Sequence, residues 1–255
     1  MHIESRTFLI TGAASGLGAA CAERLVEGGG RVVLCDLSDA IDPLAERLGD
    51  AAIAVRADIT SGEQMQSAVE AAVTHGGEQG LAGVIHCAGV VSVAKLVDRH
   101  GQPADLESYA RTVQINLVGT FNVMRLAAAA MANNAAGEDG ERGVIINTAS
   151  VAAFDGQVGQ CAYSASKAGV VGMSLPAARE LSRHGIRVMA IAPGVFETPM
   201  MGDIPDDAVS ALEQAVPFPK RLGKPLEFAR LAEQIIVNPM LNGEVIRLDG
   251  GIRMQ

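Results

Sequence analysis

The sequence predicts an α/β fold, a single domain built on a doubly wound parallel sheet of about seven strands with helices on both faces. Short β-branched runs alternate with longer helical patterns along all 255 residues, which is the rhythm of parallel strands joined by crossover helices. Several of the runs are apolar throughout, as strands covered on both sides are. Since no repeat or low-complexity linker interrupts the alternation, we expect one domain over residues 1–255.

The strands are predicted at the short apolar runs, and the helices at the periodic stretches between them. Strands are expected at Thr7–Thr11, Arg31–Cys35, Ala52–Arg56, Gly83–Cys87, Val144–Thr148, Arg187–Ile191 and Glu244–Leu248. Helices are expected at Gly16–Glu27, Glu63–Val73, Leu106–Met131, Ala162–Ser182 and Leu226–Val237.

Three stretches break this rhythm. Lys95–Asp105 and Asn133–Arg142 are polar, contain glycine and lack periodicity, so we expect surface loops there. Gly194–Pro225 is long and rich in Met, Pro and Phe, and we expect a lid over a substrate site with adaptable apolar contacts. The alternative is that its apolar residues only cap the core. The lid contacts expected are Met200, Met201, Ile204, Val209, Leu212, Val216 and Phe218.

Composition excludes some classes of function. Apolar residues make up 49% of the chain and charged residues 19%, which indicates a folded globular protein. The net charge of -9 argues against nucleic-acid binding, which needs a basic surface. No apolar run reaches the length of a membrane span, and no targeting segment is evident at the N-terminus. We therefore expect a cytoplasmic protein with no membrane partner.

The cysteines show neither a CxxC pairing nor the spacing of a metal finger. Each lies in an apolar stretch, so we expect reduced, mostly buried thiols and no metal site. The four are Cys21, Cys35, Cys87 and Cys161.

A glycine-rich segment follows the first predicted strand directly. Thr11 to Gly18 has the spacing G-x-x-x-G-x-G, and a helix is predicted to begin inside it. Glycines there allow a tight turn and a close approach to a pyrophosphate, toward which the helix N-terminus points. A purely structural turn is the alternative. The candidate cofactor residues are Gly12, Ser15, Gly16, Leu17 and Gly18.

Asp36 follows the second strand, where a carboxylate can accept hydrogen bonds from both ribose hydroxyls of an adenosine. The same carboxylate repels a 2′-phosphate, and Ala13 to Ser15 supplies no cation to offset it, so NAD is favoured over NADP. The alternative is a solvated aspartate at a strand end. Asp58 and Ile59, after the third strand, are candidates for contact with the adenine.

Tyr163 and Lys167 lie four positions apart on a predicted helix, so their side chains can meet. With only two tyrosines and four lysines in the chain, the pair rarely arises by chance. Ionising a phenol of pKa near 10 at neutral pH takes about 4 kcal/mol. One cation at about 4 Å supplies about that amount in a partly screened site. We therefore expect Tyr163 to act as a catalytic acid/base whose pKa is lowered by Lys167.

Two further polar residues lie at informative positions. Ser150 ends the fifth strand, where open parallel sheets bind ligands, and its hydroxyl can hold a substrate oxygen or cap a turn. Asn116 lies among apolar residues in the helix after the fourth strand. A buried amide needs partners, so a structural role and a role in a water relay both remain open for Asn116.

Taken together, these residues and two short motifs resemble the short-chain dehydrogenase/reductase family over essentially the whole chain. The motifs are Cys87-Ala88-Gly89, where the family commonly has Asn-Ala-Gly, and Pro193-Gly194. The resemblance implies a Rossmann-like domain and a catalytic tetrad of Asn116, Ser150, Tyr163 and Lys167. It also assigns Cys87, Ala88, Gly89, Tyr163, Lys167, Phe196 and Thr198 to the cofactor, and Ser150, Gln157, Gln160 and Tyr163 to the substrate.

Longer segments resemble one subgroup of that family, the type II 3-hydroxyacyl-CoA dehydrogenases, also known as type 10 17β-hydroxysteroid dehydrogenases. They include APGVFETPM at 192–200, VPFPKRLGKP at 216–225 and NGEVIRLDGGIRMQ at 242–255. The resemblance implies a 3-hydroxyacyl-CoA substrate, NAD as cofactor and a homotetramer. Hydroxysteroids and other secondary alcohols are further candidate substrates.

Small residues on two predicted helices fit the implied tetramer. Close helix packing between subunits would use Leu126 to Ala132 together with Ala165, Ala168, Gly169 and Gly172. The same faces could pack within one subunit instead.

Two rival functions remain. A 3-oxoacyl-carrier-protein reductase would share the fold and tetrad, but Asp36 and the charge of -9 weigh against NADPH and against docking of an acidic carrier. A dinucleotide-sensing interaction module without catalysis is a candidate of another class. The complete tetrad argues against it.

Overall fold

The strands lie in one parallel sheet in the computed structural model, which describes residues 1–199, 202 and 206–254. The strands found in this part of the chain are β1 (Thr7–Thr11), β2 (Arg31–Asp36), β3 (Ala52–Arg56), β4 (Leu81–His86), β5 (Gly143–Thr148), β6 (Ile186–Pro193) and β7 (Val245–Leu248). Their order is β3-β2-β1-β4-β5-β6-β7. The predicted doubly wound sheet of seven strands is confirmed.

The helices are α1 (Gly16–Glu27), α2 (Ile41–Leu48), α3 (Gly62–Gly76), α4 (Leu106–Val113), α5 (Thr120–Met131), α6 (Cys161–Leu181), α7 (Asp206–Ala215) and α8 (Pro225–Val237). The sheet carries α1, α2 and α8 on one face, where their buried residues join those of β1 and β2 in one core cluster. The other face carries α3, α5 and part of α6. None of the helices in residues 1–199 and 206–254 combines the length and apolarity needed to cross a membrane.

The direction in which successive strands are added to the sheet reverses at β1, because both β2 and β4 pair with it in parallel. The connection after β1 runs toward one edge of the sheet, and the later connections run toward the other. The loops at the carboxyl ends of β1 and β4 therefore diverge and leave a crevice between them, which is where open α/β sheets bind ligands.

Three features of the helices differ from the prediction. The helix expected at Leu106–Met131 is interrupted by a π turn at Gln114–Gly119. The helices α2 and α7 were not predicted. Helix α2 has only eight residues, with a proline inside it, and α7 lies within the segment expected to be a lid.

Strand ends differ from the prediction by up to two residues, since β4 starts at Leu81 rather than Gly83 and β6 extends to Pro193.

All four cysteine thiols are free, as expected. Cys21 and Cys35 are buried, but Cys161 is exposed at the start of α6, so the expectation of burial is wrong for that residue. A helix start at the rim of the sheet exposes its first residue even within an apolar sequence.

Candidate active site

A cleft of about 880 Å³ opens at the carboxyl ends of β1, β2 and β4. Its size is at the upper end for a small-molecule or cofactor site. The structure brings together most of the predicted cofactor residues in its wall. The wall contains Gly12, Ser15, Gly16, Leu17, Gly18, Asp36, Asp58, Ile59, Cys87, Ala88, Gly89 and Thr198 from the prediction.

The glycine-rich turn leaves no room for side chains. Gly12 has a φ of 66°, and a Cβ there would lie 2.7 Å from the backbone nitrogen of Ala88. A Cβ on Gly18 would lie 2.2 Å from the carbonyl oxygen of Gly12. The turn is thus pressed against the end of β4 and the first turn of α1, where only glycine fits.

The N-terminus of α1 is suited to an anion. Its N-cap residue, Ser15, makes no side-chain capping hydrogen bond, and the first turn contains no acidic residue. Backbone N–H groups at this end therefore point into the cleft without a protein acceptor or a competing negative charge. These features fit the pyrophosphate of a dinucleotide.

Asp36 is held at the end of β2 by two backbone donors. One carboxylate oxygen accepts from Ala14 N at 3.1 Å and the other from Ser38 N at 3.0 Å. Arg56 lies opposite Asp36 in the β2–β3 register, but its guanidinium is paired with Asp39 and Asp42. Asp39 and Asp42 therefore already pair with Arg56, which is the cation that lies nearest to Asp36 in the sheet.

The other wall of the cleft combines the predicted residues Asp58 and Ile59 with residues of α4 and the π turn that sequence reasoning missed. Asp58 uses one carboxylate oxygen to accept from the backbone N–H and the hydroxyl of Thr60, both at 2.8 Å. Ile59 is buried beneath Gly119. Facing them across the cleft, α4 and the π turn contribute Ala110, Arg111, Gln114 and Ile115. These four come from a helix with no recognisable motif, so only the fold brings them to the site.

Tyr163 and Lys167 lie on α6 as predicted, with Lys167 Nζ 5.9 Å from the centroid of the tyrosine ring. The ammonium group is buried and donates a hydrogen bond of 2.8 Å to the carbonyl oxygen of Thr148 at the end of β5. Ser150 accepts from Ala152 N at 3.1 Å, so its hydroxyl caps the following turn. The same residue lies close enough to the Tyr163 phenol to lower the phenol pKa.

The electrostatics of this group differ from the prediction. Burial raises the pKa of Tyr163, and the hydrogen bond with Ser150 lowers it in part. Burial also lowers the pKa of Lys167 to about 8, which the neighbouring Cys87 thiol opposes. The expected lowering of the phenol pKa by Lys167 is therefore wrong for this geometry, because the ammonium group is directed at the Thr148 carbonyl. Ser150 is the group that lowers it.

Asn116 lies fully buried in the π turn between α4 and α5. Its Oδ1 accepts from Val90 N at 2.8 Å, while its Nδ2 donates to Val90 O at 2.8 Å and to Ser166 Oγ at 3.1 Å. These bonds are the partners that a buried amide requires, and they hold the chain that leaves β4. The structural role left open by the sequence is therefore present.

Two residues of the tetrad, Asn116 and Lys167, lie next to Gly89 at the edge of the cleft. A Cβ on Gly89 would lie 3.0 Å from Asn116 Oδ1 and 3.4 Å from Lys167 Nζ. Gly89 also lines the cleft, so the absence of a side chain there leaves the path open between the dinucleotide site and the tetrad.

Cys87 stands where the family commonly has asparagine. Its sulfur accepts a hydrogen bond from the Thr148 hydroxyl at 3.7 Å, and its side chain packs against the core cluster that contains α1. The thiol thus joins β4 to β5. It makes a local structural contact at the position where the family's asparagine side chain is missing.

Seven predicted residues lie outside the wall of the large cleft, namely the four residues of the tetrad together with Phe196, Gln157 and Gln160. The Phe196 side chain is buried against Gly223 and lines a separate cavity of about 250 Å³. Gln157 and Gln160 lie in the loop before α6, where Gln160 Oε1 accepts from Gln157 N at 3.0 Å. That loop contacts the chain after β4 through a bond from Ala94 N to Gly159 O of 2.8 Å.

The segment expected to be a lid contributes Thr198 and Pro199 to the cleft. Thr198 packs against Gly16, where a Cβ would lie 3.1 Å from the threonine side chain. Val216 is buried in a small core cluster, and Phe218 is 81% exposed. Met200, Met201 and Ile204 lie outside the described residues.

Comparison with known proteins agrees with this site. The family model described as short chain dehydrogenase matches residues 6–208. The chain is 52% identical over 249 residues to 3-hydroxyacyl-CoA dehydrogenase type-2 of Homo sapiens, covering 97% of this chain and 95% of that protein. The predicted family resemblance is confirmed.

Solved structures are similar over almost the full length. A 3-hydroxyacyl-CoA dehydrogenase type-2 from Mycobacterium avium matches with a TM-score of 0.93 and 40% identity, covering 100% of this chain and 99% of that one. A 3-ketoacyl-(acyl-carrier-protein) reductase from Brucella melitensis complexed with NADH matches with a TM-score of 0.85 and 30% identity, covering 98% of each. The chain therefore belongs to the short-chain dehydrogenase family and is an oxidoreductase that uses a nicotinamide dinucleotide.

Proposed function

We propose that this enzyme interconverts 3-hydroxyacyl-CoA and 3-oxoacyl-CoA with NAD as its cofactor. The observation that carries the proposal is the grouping of Ser150, Tyr163 and Lys167, with Lys167 next to the cleft residue Gly89, in a chain half identical to a protein of that name. Acid/base catalysis needs a proton donor and a hydrogen-bond partner aimed at one substrate oxygen. Tyr163 and Ser150 form such a pair.

In the oxidation, the Tyr163 phenolate oxygen takes the proton of the substrate hydroxyl, while the Ser150 hydroxyl donates a hydrogen bond to the same substrate oxygen. A nicotinamide dinucleotide held by the glycine-rich turn, Asp36 and Lys167 would supply the acceptor for the hydride of the substrate carbon. In the reduction, the Tyr163 hydroxyl returns its proton to that oxygen. Because burial raises the pKa of Tyr163, the phenol is protonated at neutral pH, which is the form that the reduction requires.

Lys167 and Asn116 act from behind this pair. With its pKa lowered to about 8, Lys167 still carries a positive charge at neutral pH and can donate to the hydroxyls of the nicotinamide ribose. Asn116 Oδ1 and Lys167 Nζ both border Gly89. We assign to Asn116 the placement of water for proton exit along this path.

The choice of NAD over NADP is supported by Asp36. Asp36 lines the cleft at the end of β2, and Arg56 is already paired with Asp39 and Asp42. A 2′-phosphate at this place would meet a negative charge without a free cation from Arg56.

The acyl-CoA class is supported by the loop at Lys95–Asp105, which we propose borders the substrate entrance. Val93, Leu96 and Val97 are 69%, 68% and 57% exposed, and Lys95 and Arg99 are exposed beside them. Exposed apolar side chains next to cations suit a ligand with an extended pantetheine arm and phosphate groups.

A carrier-protein reductase is the second candidate, favoured by the likeness to a reductase of that kind complexed with NADH. The two candidates differ in the group that carries the acyl chain. Equal amounts of acetoacetyl-CoA and acetoacetyl carrier protein, each assayed with NADH, distinguish them. We expect a kcat/KM at least about tenfold higher for the CoA thioester, and the reverse ratio would contradict the acyl-CoA assignment.

The direct test is the oxidation of NADH by acetoacetyl-CoA, followed by absorbance, in the wild type and in Tyr163→Phe. We expect Tyr163→Phe to lose at least about a hundredfold in kcat, because a positioned proton donor contributes at least that much, while NADH affinity stays within about threefold. Tyr109→Phe is the matched control, since Tyr109 is the other tyrosine of the chain and is 42% exposed on α4. Turnover by Tyr163→Phe within tenfold of the wild type would contradict the mechanism.

A further inference from the structure

His86 ends β4 directly beneath the cleft, and its imidazole is fully buried between two threonine hydroxyls. Its Nδ1 lies 2.7 Å from Thr11 Oγ1, and its Nε2 lies 2.9 Å from Thr120 Oγ1. Thr11 ends β1 just before the glycine-rich turn, and Thr120 follows the π turn. One side chain thus joins the strand that leads to the dinucleotide site with the helix that carries Asn116.

The direction of the hydrogen bond at Nε2 follows from the partners of Thr120. Its hydroxyl is 2.6 Å from the carbonyl oxygen of Asn116, and a carbonyl can only accept. The single proton of Thr120 Oγ1 is therefore used in that bond. The contact with His86 can be a hydrogen bond only if Nε2–H donates to Thr120.

The hydrogen-bonding role of Nδ1, at the other end of the imidazole, is then determined as well. Burial, together with the charge of Lys167, lowers the pKa of His86 to about 3, so the ring is neutral and carries one proton. With that proton on Nε2, Nδ1 is an acceptor and the Thr11 hydroxyl donates to it. Thr11 Oγ1 in turn accepts from Ala88 N at 3.3 Å.

The result is one continuous chain of hydrogen bonds in which every donor and acceptor is assigned. Ala88 N–H donates to Thr11, Thr11 to His86 Nδ1, His86 Nε2–H to Thr120, and Thr120 to the Asn116 carbonyl. Protonating Nδ1 would turn this atom into a donor, and the hydroxyl proton of Thr11 would then lose its acceptor in the buried site.

The two ends of this chain are functionally different places. Ala88 lines the dinucleotide cleft, whereas Asn116 lies in the π turn and borders Gly89 with Lys167. In a π turn the backbone N–H groups shift by one residue from their α-helical acceptors. The Thr120 hydroxyl therefore supplies the Asn116 carbonyl with a donor at a point where the helix winding is altered.

We propose that His86, as a neutral Nε2–H tautomer, is a positioning residue that holds the Asn116 turn in register with the dinucleotide-binding turn through Thr120 and Thr11. Its effect on catalysis rests on the proposed function, because that assigns Asn116 to the tetrad.

The first test separates the two ends of the chain by kinetics. Thr120→Val breaks the Asn116 end and should lower kcat about tenfold, the value of one buried hydrogen bond, with the Kd of NADH changed less than about twofold. Thr11→Val breaks the Ala88 end and should raise the Kd of NADH about tenfold. His86→Phe keeps the volume but removes both bonds, so it should show both effects.

The controls distinguish this positioning from a general loss of stability. Thr120→Ser keeps the hydroxyl and should restore kcat to within about twofold of the wild type. Thr112→Val is a matched control on α4, because Thr112 is also buried and also donates to a carbonyl four residues earlier, that of Ser108. If Thr112→Val lowers kcat as much as Thr120→Val does, or if Thr120→Ser fails to restore it, the positioning role is refuted.

The second test needs no substrate. Nitrogen-15 NMR of the histidine side chains in the whole protein should show His86 with a protonated Nε2 and an unprotonated Nδ1, unchanged between about pH 5 and pH 8, where an ordinary histidine titrates. His86→Phe identifies the signal by its disappearance. A protonated Nδ1, or a titration in that range, would overturn the proposal. Failure of acetoacetyl-CoA turnover with the expected tautomer would instead contradict the proposed function alone.

Discussion

Lys167 Nζ donates a hydrogen bond of 2.8 Å to the carbonyl oxygen of Thr148, which places a buried cation at the carboxyl end of β5. Because burial lowers the pKa of Lys167 to about 8, the group is charged below that pH and neutral above it. We expect the Kd of NADH to rise about tenfold between pH 7 and pH 9.5, as a charge-assisted hydrogen bond to the ribose is lost. NADH fluorescence titration at both pH values measures the change.

The matched variants for this prediction are Lys167→Met and Lys224→Met. Lys167→Met should bind NADH weakly at both pH values, whereas Lys224→Met alters an exposed lysine at the start of α8 and should follow the wild type. A wild-type Kd that stays constant up to pH 9.5 would show that the charge of Lys167 does not contribute to binding.

Asp36 is predicted to set the choice of cofactor. The wild-type kcat/KM should favour NAD over NADP by well over tenfold, and Asp36→Ala should narrow that ratio by at least about tenfold, since removing a like charge at close range is worth more than about 1.4 kcal/mol. Asp50→Ala, an exposed aspartate away from the cleft, is the control. Equal use of both cofactors by the wild type would contradict the role of Asp36.

Acid should destabilise the protein through His86. Its pKa is about 3 in the folded protein and 6.5 in the unfolded chain, so between these values the unfolded state binds more protons. The free energy of unfolding therefore falls as the pH falls from about 6.5 toward 3, by up to about 1.4 kcal/mol per pH unit. Urea unfolding at several pH values in this window measures the slope.

His86→Phe should flatten this slope, because the group that takes up the proton on unfolding is gone. His100→Phe is the control, since His100 is exposed in the loop after β4. A slope that is the same in His86→Phe as in the wild type would assign the acid sensitivity to other groups.

The outer faces of α5 and α6 are predicted to join subunits into a homotetramer. They border a groove of about 370 Å³ that Phe121 lines. Phe121 on α5 is 51% exposed, and Leu175 on α6, outside the groove, is 44% exposed. Of the small residues expected at this contact, Ala165, Ala168 and Gly172 are at least partly exposed. Ala127 and Met131 instead pack inside the subunit, so the alternative of packing within one subunit holds for these two, and contact between subunits stays a prediction for the exposed residues.

Light scattering should give the mass of a tetramer for the wild type and a smaller mass for Phe121→Arg, because a buried unpaired charge opposes association. Val73→Arg places the same charge on α3 at a residue that is 37% exposed and should remain tetrameric. A monomeric wild type at micromolar concentration would refute the assembly.

The strands and the dinucleotide turn were predictable because their signals are local. A buried parallel strand must be a short apolar run, and the turn after β1 must be glycine where a Cβ would meet Ala88 or Gly12. The Tyr163 and Lys167 pair follows from helical spacing alone. These features depend on a few neighbouring residues, so the sequence carries them directly.

The rest depends on contacts between distant segments. In the sequence, His86 is one more residue of a predicted strand. Its two side-chain hydrogen bonds become evident only in the folded chain, where Thr11 and Thr120 lie on either side of it. Similarly, the orientation of Lys167 toward the Thr148 carbonyl arises from packing of α6 on β5. This orientation explains why Lys167 does not lower the pKa of Tyr163 as expected. The π turn at Gln114–Gly119 has no signature in residue preference.

That π turn also restricts how the length of this helix can change in evolution. A π turn accommodates one residue more than an α turn, so removing one residue between Gln114 and Gly119 would restore ordinary winding. The buried stripe of α5, which includes Val123, Ala127 and Met131, would then keep facing the sheet, but the wide turn that holds Asn116 would be lost. Related sequences without this turn should therefore be shorter here by a single residue.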